Sequence, residues 1–271
     1  MDSRTATKIL STLGHEGRLS VFRLLARRAP DALQPGEIAE ICGLKPSTLS
    51  AHLSSLAEAG IVCSRRSGTS LFYSLDGART RDFTAYLLDD CCRGRPDLCA
   101  PQTGAVQPHH PKTVLFICTG NSARSILAEA LLREAGGDRF VACSAGTRPS
   151  GQINPQVLGM LRRNGHDTAA LRSKDLGEMQ GPDAPQFDFV FTVCDHAANE
   201  ECPAWPGQPI SAHWGLPDPA KATGTDAEIA LAFADAYRTL DTRIRAFAAL
   251  PFETLDRMSL QTEADRIGKL T

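Results

Sequence analysis

The stretch Thr113-Val-Leu-Phe-Ile-Cys-Thr-Gly-Asn-Ser-Ala-Arg-Ser125 constrains this chain more than any other. Val114 to Ile117 is a short unbroken apolar run, which predicts a buried strand of a parallel sheet. Gly120 and Asn121 then allow a sharp turn before an apolar helix over Ile126 to Ala135. A strand feeding a tight loop at a helix amino terminus is an anion site, because loop amides and helix dipole both present positive potential. Arg124 adds a planar fork that matches two oxygens of a tetrahedral oxyanion. The candidate cradle is Thr119, Gly120, Asn121, Ser122, Ala123 and Arg124, with Cys118 at its mouth. The same field favours a thiolate, so Cys118 is expected to be a low-pKa nucleophile, with Ser125 donating a hydrogen bond to its sulfur.

At 271 residues there is room for two ordinary domains, and 42% hydrophobic with 22% charged residues is ordinary soluble composition. The longest apolar runs are too short to span a bilayer, and Met1-Asp-Ser-Arg4 lacks the basic-then-apolar layout of a secretory signal. The expectation is a cytoplasmic enzyme without a membrane partner. There, nine cysteines are more readily catalytic or metal-binding than disulfide-bonded. Residues 1–100 hold 13 Lys+Arg against 11 Asp+Glu, a balance too even to prove a nucleic-acid partner.

Early in the chain, Ile9, Leu10, Leu13, Leu19, Phe22 and Leu25 recur at helical spacing and predict two short helices around a small core. Pro35 to Gly43 reads as a third helix, and Pro46 to Gly60 as a fourth, with Leu49, Leu53 and Leu56 inward. Ser47, Thr48, Ser50 and His52 are assigned to the opposite face, where small hydrogen-bonding side chains suit a major groove. Residues 61–75 then read as two strands around a turn at Ser67-Gly68, with Arg65 and Arg66 near the tip for phosphate contacts. Cys42 and Cys63 read as buried core thiols.

This region, from about Ile9 to Cys99, resembles the ArsR family of winged-helix metalloid-responsive repressors. The resemblance implies a homodimer, joined through a helix over Thr80 to Leu88, on a pseudo-palindromic DNA operator released by a metal or metalloid. Cys91, Cys92 and Cys99 offer three thiolates for a soft ion such as arsenite. Zinc stays open, since His109 and His110 lie nearby. Residues 100–111, rich in Pro, Gly and polar side chains, read as a linker between a domain at 1–99 and another at 112–271.

Beyond the nucleophile loop, strands at Phe140 to Ser144 and Phe187 to Val193 alternate with helices at Pro155 to Asn164 and after the capping box Thr225-Asp-Ala-Glu228. The fold class is therefore α/β overall: a winged helix-turn-helix domain, then a small doubly wound parallel sheet with its site beyond the strand carboxyl ends. Cys194 would leave its strand on the same side as Cys118, and Cys202 ends the short segment that follows. Two thiols within reach of each other and of the nucleophile make a redox relay.

The cysteine and arginine spacing resembles the low-molecular-weight protein tyrosine phosphatase fold and, more closely, the arsenate reductases built on it. That resemblance makes Asp218, between Pro217 and Pro219, the general acid. Phosphatases of this fold usually carry an aromatic residue soon after the aspartate, whereas Ala220 stands here. Trp205, His213 and Trp214 are open to structural or substrate-contacting roles. The resemblance also implies no tightly bound cofactor, thioredoxin or a similar external thiol as reductant, and a potassium-type cation at Asn121, Glu129, Ser144, Ser173 and Asp175. The expected whole is an arsenite-responsive repressor fused to an enzyme that reduces arsenate to arsenite. Its rivals are a tyrosine phosphatase with a winged-helix regulatory domain and a transcription factor with a non-catalytic oxyanion-binding domain.

Overall fold

The computed structural model describes residues 1–93, 111–180, 184–200 and 205–271. Cys99, Cys202 and linker residues 100–110 lie outside the described residues. The chain divides into two compact units, Met1–Gln102 and Thr103–Thr271.

In the first unit, helix starts follow side-chain caps. Asp2 accepts from the Thr5 amide at 2.7 Å to open α1 (Ser3–Leu13), and His15 accepts from the Gly17 amide at 3.1 Å to open α2 (Glu16–Arg28). Helix α3 (Pro35–Cys42) begins with a proline and stops at Gly43, whose φ of +62° suits a residue without a Cβ. Helix α4 (Pro46–Glu58) follows, with Leu49, Leu53 and Leu56 buried. Strands β1 (Val62–Ser67) and β2 (Ser70–Leu75) form the antiparallel hairpin, turning at Gly68 and Thr69. The unit ends in α5 (Gly77–Tyr86), which runs on into a π-helical turn at Leu87–Cys91.

Three readings change. Leu10 and Leu19 are 49% and 41% exposed, so they lie off the core face of their helices. Cys63 is exposed rather than buried, because the hairpin leaves the core after Val62 and every β1 residue from Cys63 to Ser67 is exposed to solvent; its sulfur lies 3.3 Å from the hydroxyl of its cross-strand partner Ser74. His52 is buried, not on the outer face of α4.

The second unit is a four-stranded parallel sheet in the order β4-β3-β5-β6, formed by β3 (Lys112–Cys118), β4 (Phe140–Gly146), β5 (Phe189–Thr192) and β6 (Ile210–His213). Its helices are α6 (Arg124–Gly136), α7 (Pro155–Arg163), α8 (Asp195–Asn199), α9 (Asp226–Ala248) and α10 (Arg257–Ile267). The caps expected from sequence are present: Asn154 opens α7, and Thr225 with Glu228 forms the capping box of α9. Strand β6, α8 and α10 are additions, short or weakly patterned enough to escape periodicity. The core stacks Trp214 flat on Phe191, with centroids 4.1 Å apart, and sets Phe247 edge-on at 5.2 Å. Because the chain reverses direction across the sheet from β3, the crevice beyond the carboxyl ends of β3 and β5 is its natural site. No helix among the described residues is long and apolar enough to cross a membrane.

Candidate active site

Cys118 ends β3 and is buried. The loop after it is turned by its carbonyls. Those of Cys118, Thr119, Gly120 and Ser122 accept from the amides of Thr147, Arg148, Ser150 and Asn154 at 2.8–3.1 Å. In a trans peptide the N–H points opposite the C=O, so the amides of Thr119, Gly120, Asn121 and Ala123 face the other way, into the cradle. Asn121 takes the left-handed conformation, φ +42°, and its amide donates to the Cys118 sulfur at 3.2 Å. Ala123, at the cap position of α6, has no side-chain acceptor to compete for the first-turn amides. Gly146 makes the close packing possible, since a Cβ there would lie 2.7 Å from the Thr119 carbonyl.

Ser125, fully buried, sits with its hydroxyl 2.9 Å from the Cys118 sulfur. The low pKa expected of Cys118 is reversed. Burial pushes the thiol up, while the hydrogen bonds from Ser125 and Asn121 pull it down and neighbouring Cys194 adds to the rise.

Arg124 donates from Nη1 to the Leu216 carbonyl at 3.1 Å and from Nη2 to Asp218 Oδ2 at 2.7 Å. The fork thus draws the Asp218 loop to the cradle, and three further N–H groups are available to an oxyanion. The other Asp218 oxygen accepts from the Ala220 amide at 3.1 Å.

Cys194 is buried and caps α8, accepting from the Ala197 amide at 3.4 Å. Ile117 and Thr192 are register partners on adjacent parallel strands, so Cys118, one residue past the pair, and Cys194, two residues past it, leave the same end of the sheet. The Thr119 hydroxyl, next to Cys118, lies 3.5 Å from the Cys194 sulfur.

The residues assigned to a monovalent cation form a different object. Glu129, Ser144 and Asn121 are fully buried, and the Lys174 ammonium donates to Glu129 at 2.9 Å, with Arg133 on the other carboxylate oxygen. Ser144 donates to Glu129, and the Asn121 amide group donates to Ser144 at 2.8 Å and to Ser125 at 2.9 Å. Asp175 is exposed and caps a short turn through the Gly177 amide at 2.7 Å. The Ser173 hydroxyl is buried without a hydrogen-bond partner among the described residues, but the protein's own cations already neutralise Glu129 and Asp175 points to solvent, so these five residues do not converge on one cation. Lys174 escaped sequence reasoning because it meets Glu129 across 45 residues, whereas Arg133, four residues after Glu129 on the same helix, is a local i,i+4 partner that the sequence does offer.

In the first unit, Ser47, Thr48 and Ser50 are exposed on α4, and Arg65 and Arg66 are exposed on β1. His52 packs on His15, with ring centroids 4.8 Å apart, over Gly17, where a Cβ would come within 2.7 Å of its ring. Of the three thiols assigned to arsenite, Cys91 is free and exposed and Cys92 is disulfide-bonded.

The sequence profile of the low molecular weight phosphotyrosine protein phosphatases matches residues 113–261. The chain belongs to that family. A helix-turn-helix domain profile matches residues 13–65, so this family member carries a helix-turn-helix domain ahead of its phosphatase-type domain. Two relatives, each named arsenate reductase, come from Halalkalibacterium halodurans and Bacillus licheniformis. They are each 37% identical, over 137 and 138 residues, covering 51% of this chain and 95% of theirs. A solved arsenate reductase in its oxidized state is 24% identical over 51% of this chain and 97% of its own, with a TM-score of 0.43.

Proposed function

We propose that the second unit reduces arsenate to arsenite, and that the first is an arsenite-responsive repressor. The observation that carries the reductase reading is the second buried thiol: Cys194 stands beside the nucleophile at the same end of the sheet. Hydrolysis needs only Cys118, Arg124 and Asp218. The two relatives named arsenate reductase support the same choice.

Arsenate sits in the cradle with its oxygens on the loop amides and Arg124. Cys118 sulfur forms a bond to arsenic as the As–OH bond breaks, and the Asp218 carboxylate, held by Arg124, takes the thiol proton and passes it to the departing hydroxyl, which leaves as water. Cys194 sulfur then attacks Cys118 sulfur. The S–As bond breaks, its electron pair stays with arsenic, and arsenic falls from As(V) to As(III) as arsenite leaves. Cys202 attacks Cys194 and frees Cys118, leaving a Cys194–Cys202 disulfide for an external dithiol of the thioredoxin class. Purified protein should couple arsenate to oxidation of a thioredoxin system, and Cys202→Ser should stop turnover after one cycle. Full multiple turnover by that variant removes Cys202 from the relay.

In the first unit, α4 enters the major groove of an operator with Ser47, Thr48 and Ser50, while the hairpin pair Arg65 and Arg66 supplies phosphate contact from one of its two faces. The repressor acts as a homodimer, and arsenite binds Cys91, Cys92 and Cys99 once the Cys92 disulfide is reduced. A mobility-shift assay on the protein's own promoter under reducing conditions tests this. Unchanged binding at saturating arsenite removes the sensor.

A further inference from the structure

His213 ends β6, where it is the register partner of Thr192, and its ring is nearly buried, with 7% of the side chain exposed. It makes two bonds: Nδ1 to the Thr192 hydroxyl at 2.9 Å and Nε2 to Asp195 Oδ1 at 2.9 Å. A carboxylate only accepts, so Nε2 carries the proton and donates to Asp195, and Nδ1 accepts from Thr192. Asp195 is the first residue of α8, directly after Cys194.

The two ends of this connection differ in firmness. His213 is followed by Trp214, which is fully buried, stacked on Phe191 and bonded from its indole N–H to the Ala264 carbonyl at 2.9 Å. Helix α8 is five residues long, too short to hold itself by backbone bonds alone. Gly215 clears the space between them, because a Cβ there would lie 2.4 Å from His213 Nε2 and 3.3 Å from Asp195 Oδ1.

We propose that His213 is a positioning residue that ties the first turn of α8 to the end of β6 and so keeps Cys194 beside Cys118. The proposal rests on the reductase reading, because holding this thiol matters only if it attacks. Cys194 must give up its capping bond to the Ala197 amide in order to reach the Cys118 sulfur. The tie lets the sulfur swing while the backbone beside it stays in place. Without the tie, α8 opens from its first residue and the attacking sulfur loses its aim, a loss that small misplacements turn into large rate effects.

The test uses full-length protein with His213→Ala, His213→Gln and Asp195→Ala, all in a Cys202→Ser background. Three quantities are measured: single-turnover formation of the Cys118–Cys194 disulfide with arsenate, alkylation of Cys118 by iodoacetamide, and amide hydrogen exchange over residues 195–199. His213→Ala and Asp195→Ala should slow disulfide formation about tenfold or more. They should speed exchange in α8 and leave Cys118 alkylation within about twofold. His213→Gln, whose side-chain N–H reaches the place of Nε2, should regain most of the rate.

Disulfide formation and Cys118 alkylation changing together in both alanine variants would overturn the proposal, since the ring would then be general support for the site. Unchanged exchange in α8 would also overturn it. If the parent protein forms no disulfide with arsenate, the reductase reading fails by itself and the exchange measurement alone decides whether the tie exists. Asp195 is 72% exposed at its side chain, so Asp195→Ala keeps the test open if His213→Ala does not fold.

Discussion

The nucleophile loop of the second unit and the outer face of α4 in the first are both rich in small polar residues, and they use them in opposite ways. Around Cys118 the polar side chains are buried and bonded to one another: Ser125, Asn121, Ser144 and Glu129 form one chain that ends on Lys174. On α4, Ser47, Thr48 and Ser50 face outward. A site that performs chemistry must hold its geometry before the substrate arrives, so its hydrogen bonds are closed within the protein. A surface that reads another molecule leaves its bonding groups for the partner.

The strongest way to break this contrast is to remove the nucleophile. Cys118→Ser should abolish arsenate reduction, by on the order of 10⁴-fold or more, while operator affinity in a mobility-shift titration stays the same. A parallel loss of DNA binding would mean that the two regions are not separable in function. Next in size is the far end of the buried chain. Lys174→Met leaves the fully buried Glu129 with Arg133 as its remaining cation, so the cost should fall below that of a wholly uncompensated buried charge, about 3–5 kcal/mol. Tryptophan fluorescence reports this unfolding cleanly, because Trp205 and Trp214 both belong to the second unit. An unchanged denaturation midpoint would show that the chain around Cys118 is looser than its bonding implies.

How much could be read in advance follows the same division. The cradle was legible because strand, turn, arginine and serine lie within thirteen consecutive residues, and the exit of Cys194 at the same end of the sheet as Cys118 follows from parallel strands. What stayed hidden depends on distant approach. Lys174 meets Glu129, Gly146 makes room for the Thr119 carbonyl, and the Leu216 carbonyl holds Arg124, none of which leaves a local pattern. The rise in the Cys118 pKa has the same origin: local fields argue for a thiolate, but the degree of burial is set by the whole sheet. In the first unit the elements were legible and the faces less so. Leu10 and Leu19 fit a helical period yet stand outside, as surface leucines often do.

A smaller effect sharpens the outward half of the contrast. Arg65 and Arg66 are neighbours on one strand, so their side chains leave opposite faces of the hairpin, opposite Phe72 and Leu71. Both cannot track one phosphate row in the same way. Replacing each with Ala should weaken operator binding unequally, by about tenfold for the one that contacts phosphate. That variant should also flatten the salt dependence by about 0.9 in log–log slope, and the other should change little. Equal losses would place both on the backbone.

His52 gives the smallest effect and the most direct view of where inside meets outside. Leu49, His52, Leu53 and Leu56 fall at i, i+3, i+4 and i+7, the stripe a core-facing helix presents, so the histidine shares the buried face despite its polarity. Burial holds its pKa below the ordinary 6.5, with His15 and Arg18 acting in the same direction. The neutral ring is therefore favoured in the folded state. Its contribution to stability is present above the unfolded value and is lost as pH falls from about 6.5 through the lower folded value, because the unfolded chain takes up the proton first. The ring should titrate below 6.5 by NMR, and His52→Gln should reduce the acid sensitivity of first-unit unfolding while leaving the DNA contacts proposed for Ser47, Thr48 and Ser50 unaffected. A ring that titrates at or above 6.5, or a His52→Gln variant that loses operator affinity without losing stability, would move His52 back to the reading face and blur the line between the two regions.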